Sequence, residues 1–383
     1  MVDGPAPGQD NPREACTQAP IDRRRGRLAA RAGRIFCLLY RIARRETRAA
    51  PSHARASRAT MRPASAGNGA SAGGDERAMP HAVECWEQSD LVEVVRLLDE
   101  ASPVDRFQVD QVREAVFDDL DLDPALLLCV RVGGRIVGAA AALVRPPRGS
   151  GGGSGPVGFL KLLAVHPEME GQGIGSALLA EAERRLADRQ ARAVRVFGDA
   201  PYYLRPGVDF RLTRLVCLLQ RRGYTLRGHA VNMEVDLADA DLDTAAEEER
   251  LQARGIQVRR LELADAAAFQ AYMSRHWSWN WTIEASRTLR RRPISTHIAL
   301  RDGRIVGFAC AGASGPGQFG PMGVQPELRR LGIGAVLLKR CLADLRDQGF
   351  PTADIQWVGP IAFYARQVGA EITRCFWQFE KPL

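Results

Sequence analysis

A segment that repeats itself at long range constrains a fold more than any single motif, and this chain contains one. "AVHPEMEGQGIGSALL" (164–179) and "GVQPELRRLGIGAVLL" (323–338) align without a gap, placing Val165 with Val324, Pro167 with Pro326 and Gly173 with Gly332 at a constant offset of 159. Each copy runs from an apolar stretch through a proline-marked turn and a Gly-x-Gly into an apolar helix. Self-similarity at fixed spacing marks a duplicated structural unit. "GRIVG" recurs at 134–138 and 303–307, an independent echo of the duplication. At 383 residues the chain can bury two ordinary cores.

From residue 79 both copies show one order of elements. "HAVECW" (81–86) reads as a strand, and "SDLVEVVRLLDEA" as a helix with Ser89 at its N-cap. A hairpin turns at Gly133-Gly134, "VGFLKLLAV" is a buried strand, and residues 173–188 form an amphipathic helix. A strand at 193–197, a helix at 211–222 and a closing strand at 224–235 complete the unit. The second copy repeats the series, with its hairpin at Asp302-Gly303 and its final strand in "EITRCFWQFEKP". The expected fold class is α/β with a mixed sheet, as two tandem units at 79–237 and 256–383 joined by a charged segment, 238–255, that reads as a linker or short solvated helix. "RPPRGSGGGSGP" (145–156) reads as a flexible surface loop.

Charge separates the tail from the rest. The net +8 of the chain is carried by residues 1–78, and the remainder balances to zero. Nucleic-acid readers keep their positive patch on a folded domain, so that class of partner is excluded. The tail itself suits a disordered, dispensable segment. Two other readings stay open: an organellar transit peptide, or translation from Met61 or Met79. The eight cysteines are scattered with no Cys-x-x-Cys pair or histidine cluster, which argues against a metal and for a reducing, cytoplasmic setting. "IFCLLY" (35–40) is too short to span a bilayer, so no membrane partner is expected.

A strand leading through glycines into a helix N-terminus is an anion site, because the first amides lack intrahelical partners and the dipole adds positive charge. A phosphate loop of the Gly-Lys-Ser/Thr type is absent, and so are the third glycine and downstream acid of the dinucleotide fingerprint. A lone Gly-x-Gly is more often a helix-packing turn. Its repetition behind Val-x-Pro favours a ligand.

Val324-x-Pro326-x-x-Arg329-x-x-Gly332-x-Gly334 resembles the acetyl-CoA-binding motif of the GNAT acyltransferases, and "FYARQVGA" (363–370) resembles the helix that follows it. The resemblance spans both halves. It implies two tandem GNAT domains, with acetyl-CoA as co-substrate, no metal, and direct transfer to the primary amine of a small molecule. It also implies a pyrophosphate cradled by Arg329, Arg330, Leu331, Gly332, Ile333, Gly334 and Ala335, with the pantetheine arm along the strand ending at Val324. In the first copy the matching residues are Val165, Gly171, Gln172, Gly173, Ile174, Gly175 and Ser176. Tyr364 would protonate the departing thiolate, and an oxyanion would meet a backbone N–H near Val324. The base stays open among Asp302, Asp354 and Glu371.

The first copy departs from this pattern. Glu170 stands where the family carries Arg or Gln, and Leu218 stands where the second copy has Tyr364. An insertion, "APYYLRPGVDFR" (200–211), brings Tyr202 and Tyr203, which either replace the missing acid or shape an acceptor site. The second half is therefore expected to be catalytic, and the first a weak CoA binder or a scaffold. In "HWSWNW" (276–281), Trp277, Trp279 and Trp281 alternate and would share one face of an extended segment. They either stack on a sugar ring or fill the core. Similarity to tandem GNAT proteins that include glucosamine and glucosaminide N-acetyltransferases points to an amino-sugar amine. The alternative is a non-catalytic acyl-CoA-binding sensor or interaction protein built from the same units.

Overall fold

The computed structural model describes residues 81–147 and 155–383. The basic tail, both alternative starts and most of the Gly-rich loop lie outside them. The first half builds β1 (Glu84–Cys85), α1 (Leu91–Ala101), α2 (Val109–Val116), β2 (Leu127–Val132), β3 (Arg135–Arg145), β4 (Val157–Val165), α3 (Ile174–Asp188), β5 (Ala193–Val196), β6 (Val208–Asp209), α4 (Thr213–Arg221) and β7 (Thr225–Asp236). The second opens with α5 (Ala245–Gln252) and β8 (Ile256–Arg260), then α6 (Ala266–His276) and α7 (Trp279–Arg287). It continues with β9 (Thr296–Arg301), β10 (Arg304–Ala311), β11 (Gln318–Val324), α8 (Ile333–Asp347), β12 (Thr352–Ile355), α9 (Ile361–Val368) and β13 (Glu371–Pro382).

Two local expectations change. Ser89 does not cap α1; Glu87 and Asp90 form a capping box around a short 3-10 turn, and Asp90 then becomes the helix N-cap. The linker is not merely solvated, because α5 buries Leu251 and its Glu248 accepts from Arg340 Nε of α8 at 2.6 Å.

The strands form one sheet in the order β1-β2-β3-β4-β5-β13-β7-β12-β11-β10-β9-β8, with β6 pairing β13 at the side. The closing strands are exchanged: β13 lies beside β5 of the first half, and β7 lies beside β12 of the second. Between them runs a long antiparallel ladder, from Glu371 opposite Glu234 to Glu380 opposite Thr225. Separating the halves would break this ladder, so they fold as one body.

Helices cover both faces, which explains the continuous apolar runs. On β3, Ala139 and Ala141 pack toward α1 and α2, while Ala140 and Ala142 pack toward α3. The second half repeats this with α6 and α7 on one face, around Phe269 and Phe308, and α8 and α9 on the other. In each half the two parallel strands, β4 with β5 and β11 with β12, pair only briefly, ending at Leu160–Val196 and Phe319–Ile355. Beyond those residues the strands part.

Candidate active site

The two Gly-rich turns have nearly the same backbone. Gly171 and Gly173 take φ +79° and +88°, and Arg330 and Gly332 take +68° and +95°. Nothing lies within 4 Å of a Cβ built on Gly173 or Gly332, so their requirement is conformational rather than spatial. Arg330 occupies the same left-handed region with a full side chain, at a cost of about 1–2 kcal/mol. The turn leaves the Ile333 and Gly334 amides without an intrahelical partner, as at any helix start, while Ala335 N already donates to Gly332 O at 3.0 Å and Arg329 N to Pro326 O at 3.3 Å.

The predicted cofactor residues divide by what they expose. Ile174, Ile333 and Ala335 are buried and anchor the helices to the sheet, so only their backbone can meet a ligand. Gly171, Gln172, Gly173, Arg329 and Arg330 are exposed, while Val165, Gly175, Ser176, Val324, Leu331 and Gly334 are half-buried. Arg329 Nε donates to the carbonyl of Val324 at 3.2 Å, folding over the end of β11. In the first half Glu170 is ion-paired with Arg214 of α4, so its charge at the turn is compensated. Leu218 packs there too, 3.2 Å from a Cβ built on Gly175.

Tyr364 is buried on the α8 side of the sheet, edge-on to Phe319 at 6.1 Å and to Phe363 at 5.1 Å. Burial pushes its phenol up to about 12, so it stays a hydrogen-bond donor at neutral pH. Of the three candidate bases, Asp302 and Glu371 are exposed, the first in the hairpin turn and the second at the start of β13. Asp354 is half-buried, beside Gln318 on the paired strand.

The opposite face differs sharply between halves. In the first, Lys161 follows Leu160 at the point where β4 and β5 part, and its ammonium pairs with Asp199 and, at 3.0 Å, with Asp119. It also donates to the carbonyl of Tyr202 at 2.9 Å. Arg145 completes the network, reaching Asp119 at 2.5 and 2.7 Å and Asp121 at 2.7 Å. Every one of these charges is paired and nearly all are buried, so this face is filled. At the 159-residue offset the second half has Gly320, with nothing within 4 Å of a built Cβ.

A cavity of about 210 Å³ lies on that side of the second half and is built by both halves. The α1–α2 connection and the 204–206 stretch of the insertion contribute, as do Gln318, Asp354 and Gln356. Sequence reasoning missed all of its amides, because a polar residue in a strand looks like a solvent-facing position. Tyr202 and Tyr203 both reach toward the second half. Tyr202 lies under the guanidinium of Arg287 at 5.2 Å, and Tyr203 packs edge-on to Trp357 at 5.3 Å.

The tryptophan segment is extended only at Trp277 and Ser278. Ser278 accepts from Trp281 N at 3.3 Å and caps α7, so Trp279 and Trp281 lie on a helix and the alternation is broken. Trp277 and Trp281 stack at 5.2 Å against Phe308, and Trp279 does not share their face. A Cβ on Gly323 would overlap Trp277, so this indole closes directly over β11.

Among the described residues no group of His, Cys, Asp or Glu is arranged to hold a metal ion, and no helix is long and apolar enough to cross a membrane. Comparison with known proteins agrees with the duplicated architecture. Mycothiol acetyltransferase of Thermobispora bispora is 30% identical over 205 residues, 49% of this chain and 63% of the relative. That of Geodermatophilus obscurus is 29% identical over 217 residues, 52% of this chain and 65% of the relative. The chain thus spans less than two thirds of the length of these relatives. A solved glucosamine N-acetyltransferase region of a fungal multi-domain beta-N-acetylglucosaminidase superposes with TM-score 0.64 at 18% identity, over 79% of this chain and 38% of that one. A tandem GNAT protein from the clavulanic acid biosynthesis pathway superposes with TM-score 0.55 at 17% identity, over 79% of this chain and 98% of that one. At such identities the superpositions show the fold. The profile of the Acetyltransferase (GNAT) family matches twice, at residues 91–202 and 257–370, together more than half of the sequence. The chain belongs to the GNAT acetyltransferase family, with two copies of the family's unit in tandem.

Proposed function

We propose that the protein is an acetyl-CoA-dependent N-acetyltransferase whose second half performs the chemistry on the primary amine of a small molecule, an amino sugar. One observation carries the assignment to that half: where the first half fills the face opposite α3 with Lys161 and its ion-paired network, the second has Gly320 with nothing within 4 Å of a built Cβ and, two residues earlier at Gln318, a cavity-lining residue. Membership of the family supports acetyl-CoA as donor, with the cofactor's pyrophosphate on the amides from Arg329 to Ala335. The mycothiol acetyltransferases support acetyl transfer, and the amino-sugar acceptor draws its support from the glucosamine N-acetyltransferase region whose fold the chain resembles.

The arrangement explains each step by position. The amine attacks the thioester carbon where β11 and β12 part, forming the C–N bond of a tetrahedral adduct whose collapse breaks the C–S bond and releases the nitrogen's proton. A backbone N–H near Val324 holds the oxyanion. Tyr364, on the α8 side, donates its proton to the leaving thiolate and is reprotonated from water. Trp277 over Gly323 and the Tyr203–Trp357 pair wall the acceptor side.

The test supplies acetyl-CoA and follows free CoA thiol across glucosamine, a glucosaminide, polyamines and peptide N-termini. Release with the amino sugars alone is expected. Acetyl-CoA binding without release to any amine would favour the sensor reading.

A further inference from the structure

The residues around the cavity say what its occupant must offer. Ala353 and Ile355 point into the core beneath α8, so Asp354 between them faces the other way, toward the cavity. Asn232 Nδ2 and Gln356 Nε2 both donate to its Oδ2, at 3.1 and 3.2 Å. The cations lining it are already engaged: Asp105 pairs with Arg205 at 2.6 Å and with Arg374 at 2.8 Å, Arg374 also reaches Asp209 at 2.9 Å, and Arg106 Nη1 donates to the carbonyl of Ser102 at 2.9 Å. What is left over is acceptor capacity, since the Oε1 atoms of Gln318 and Gln356 are buried without a donor. Buried polar atoms are rarely left unpaired, so the missing partner carries hydrogens to give. An ammonium group flanked by hydroxyls does so. A carboxylate or phosphate does not.

Resting on the acetyl-transfer reading above, we infer that Asp354 is the general base of the reaction, taking a proton from the acceptor's ammonium in a pocket that both halves build. The carboxylate accepts one proton from R–NH₃⁺, and the freed lone pair attacks the thioester carbon. The nitrogen loses its second proton as the tetrahedral adduct collapses, and that proton passes to solvent water. The thiolate takes one from Tyr364, which water restores. Asp354 then releases its proton to solvent, so one proton is liberated per amide formed. Asp354 and Tyr364 approach the parting of β11 and β12 from opposite faces, the base on the side of the amine and the acid on the side of the sulfur.

The electrostatics agree. Burial pushes the Asp354 carboxyl up to about 6, and Glu234 adds to the rise. Hydrogen bonds from Gln356 and Asn232 and the charge of Arg374 oppose it. A base of that strength is ionised at neutral pH yet able to hold a proton. The acidic groups facing this region from other elements are Asp105 of the first half, held by its arginines, and Glu284 of α7. Burial lifts Glu284 to about 8, with Arg287 opposing.

The test is the pH dependence of kcat/KM for glucosamine with the full chain, followed by thiol release, in the wild type, Asp354→Asn, Asp354→Glu and Glu284→Gln. The wild type should lose activity as pH falls through about 6. Asp354→Asn should lower the plateau about 100-fold and abolish that limb, while Asp354→Glu restores part of the rate and the limb. Acetyl-CoA affinity should stay within about two-fold throughout. An Asp354→Asn enzyme with the wild-type plateau and limb overturns the inference, as does a limb that disappears only in Glu284→Gln. Calorimetric titration with glucosamine needs no turnover, and Asp354→Asn should bind it about ten-fold more weakly. Equal affinity, or no binding to the wild type, overturns the pocket. Binding as expected with no thiol release in the wild type instead overturns the acetyl-transfer reading while the pocket stands.

Discussion

The two halves share a turn and differ in what lies behind it. Both bring the chain through two left-handed residues into a helix, with φ values within about 11° of each other at matching positions. Behind the first turn, Lys161, Asp119, Asp199 and Arg145 fill the far face with paired charge. Behind the second, Gly320 leaves that place empty and two glutamine oxygens wait for donors. Duplication preserved the backbone of the turn, which depends on a few dihedral angles. It did not preserve the face behind it, which Lys161 and its ion-paired network fill in the first half alone. A cofactor motif is therefore weaker evidence of catalysis than an open face opposite it.

The largest expected effect tests whether the first half's network is structural. Lys161→Met should destabilise the chain by about 3–5 kcal/mol, because it leaves Asp119 and Asp199 buried without their cation. Chemical denaturation would measure it, and a loss under 1 kcal/mol would break the contrast drawn here. The matched glycines come next. Gly332→Ala should raise the KM for acetyl-CoA about ten-fold, the equivalent of ~1.4 kcal/mol, by straining the turn at φ +95°. Gly173→Ala strains an equal turn and should cost about 1–2 kcal/mol of stability with turnover unchanged. Equal kinetic losses in the two variants would mean that both halves work. The smallest effect is at Arg214, whose side chain is 79% exposed where it pairs with Glu170. Arg214→Ala should cost under about 1 kcal/mol and leave turnover as it was.

Much of the turn was legible because it rests on local rules. Gly173 and Gly332 stand just ahead of apolar helices, and the duplication confirmed each from the other. Asp302-Gly303 likewise turns its hairpin with φ +51° and +71°, as that dipeptide predicts. The strand exchange was not legible. Both β7 and β13 read as closing strands, and their alternation specifies a face but not a neighbour. The tryptophans misled because Trp277 and Trp281, four apart, fit a strand of period two and a helix equally well. Ser278 decides between them, and a cap signal was available there. The cavity was hidden for a different reason. Gln318 and Gln356 line it together with residues of the first half, a juxtaposition no local pattern reports.

That one half of a duplicated chain carries the chemistry is tested most directly by one substitution in each half, on α9 and on α4, where Leu218 meets the Cβ built on Gly175 as Phe363, next to Tyr364, meets that on Gly334. Thiol release with acetyl-CoA and glucosamine would be compared for the wild type, Tyr364→Phe and Leu218→Ala. Tyr364→Phe should lose about 100-fold or more in kcat, with acetyl-CoA affinity retained, and Leu218→Ala should leave both unchanged. Wild-type turnover in Tyr364→Phe, or a comparable loss in Leu218→Ala, would contradict the assignment to the second half.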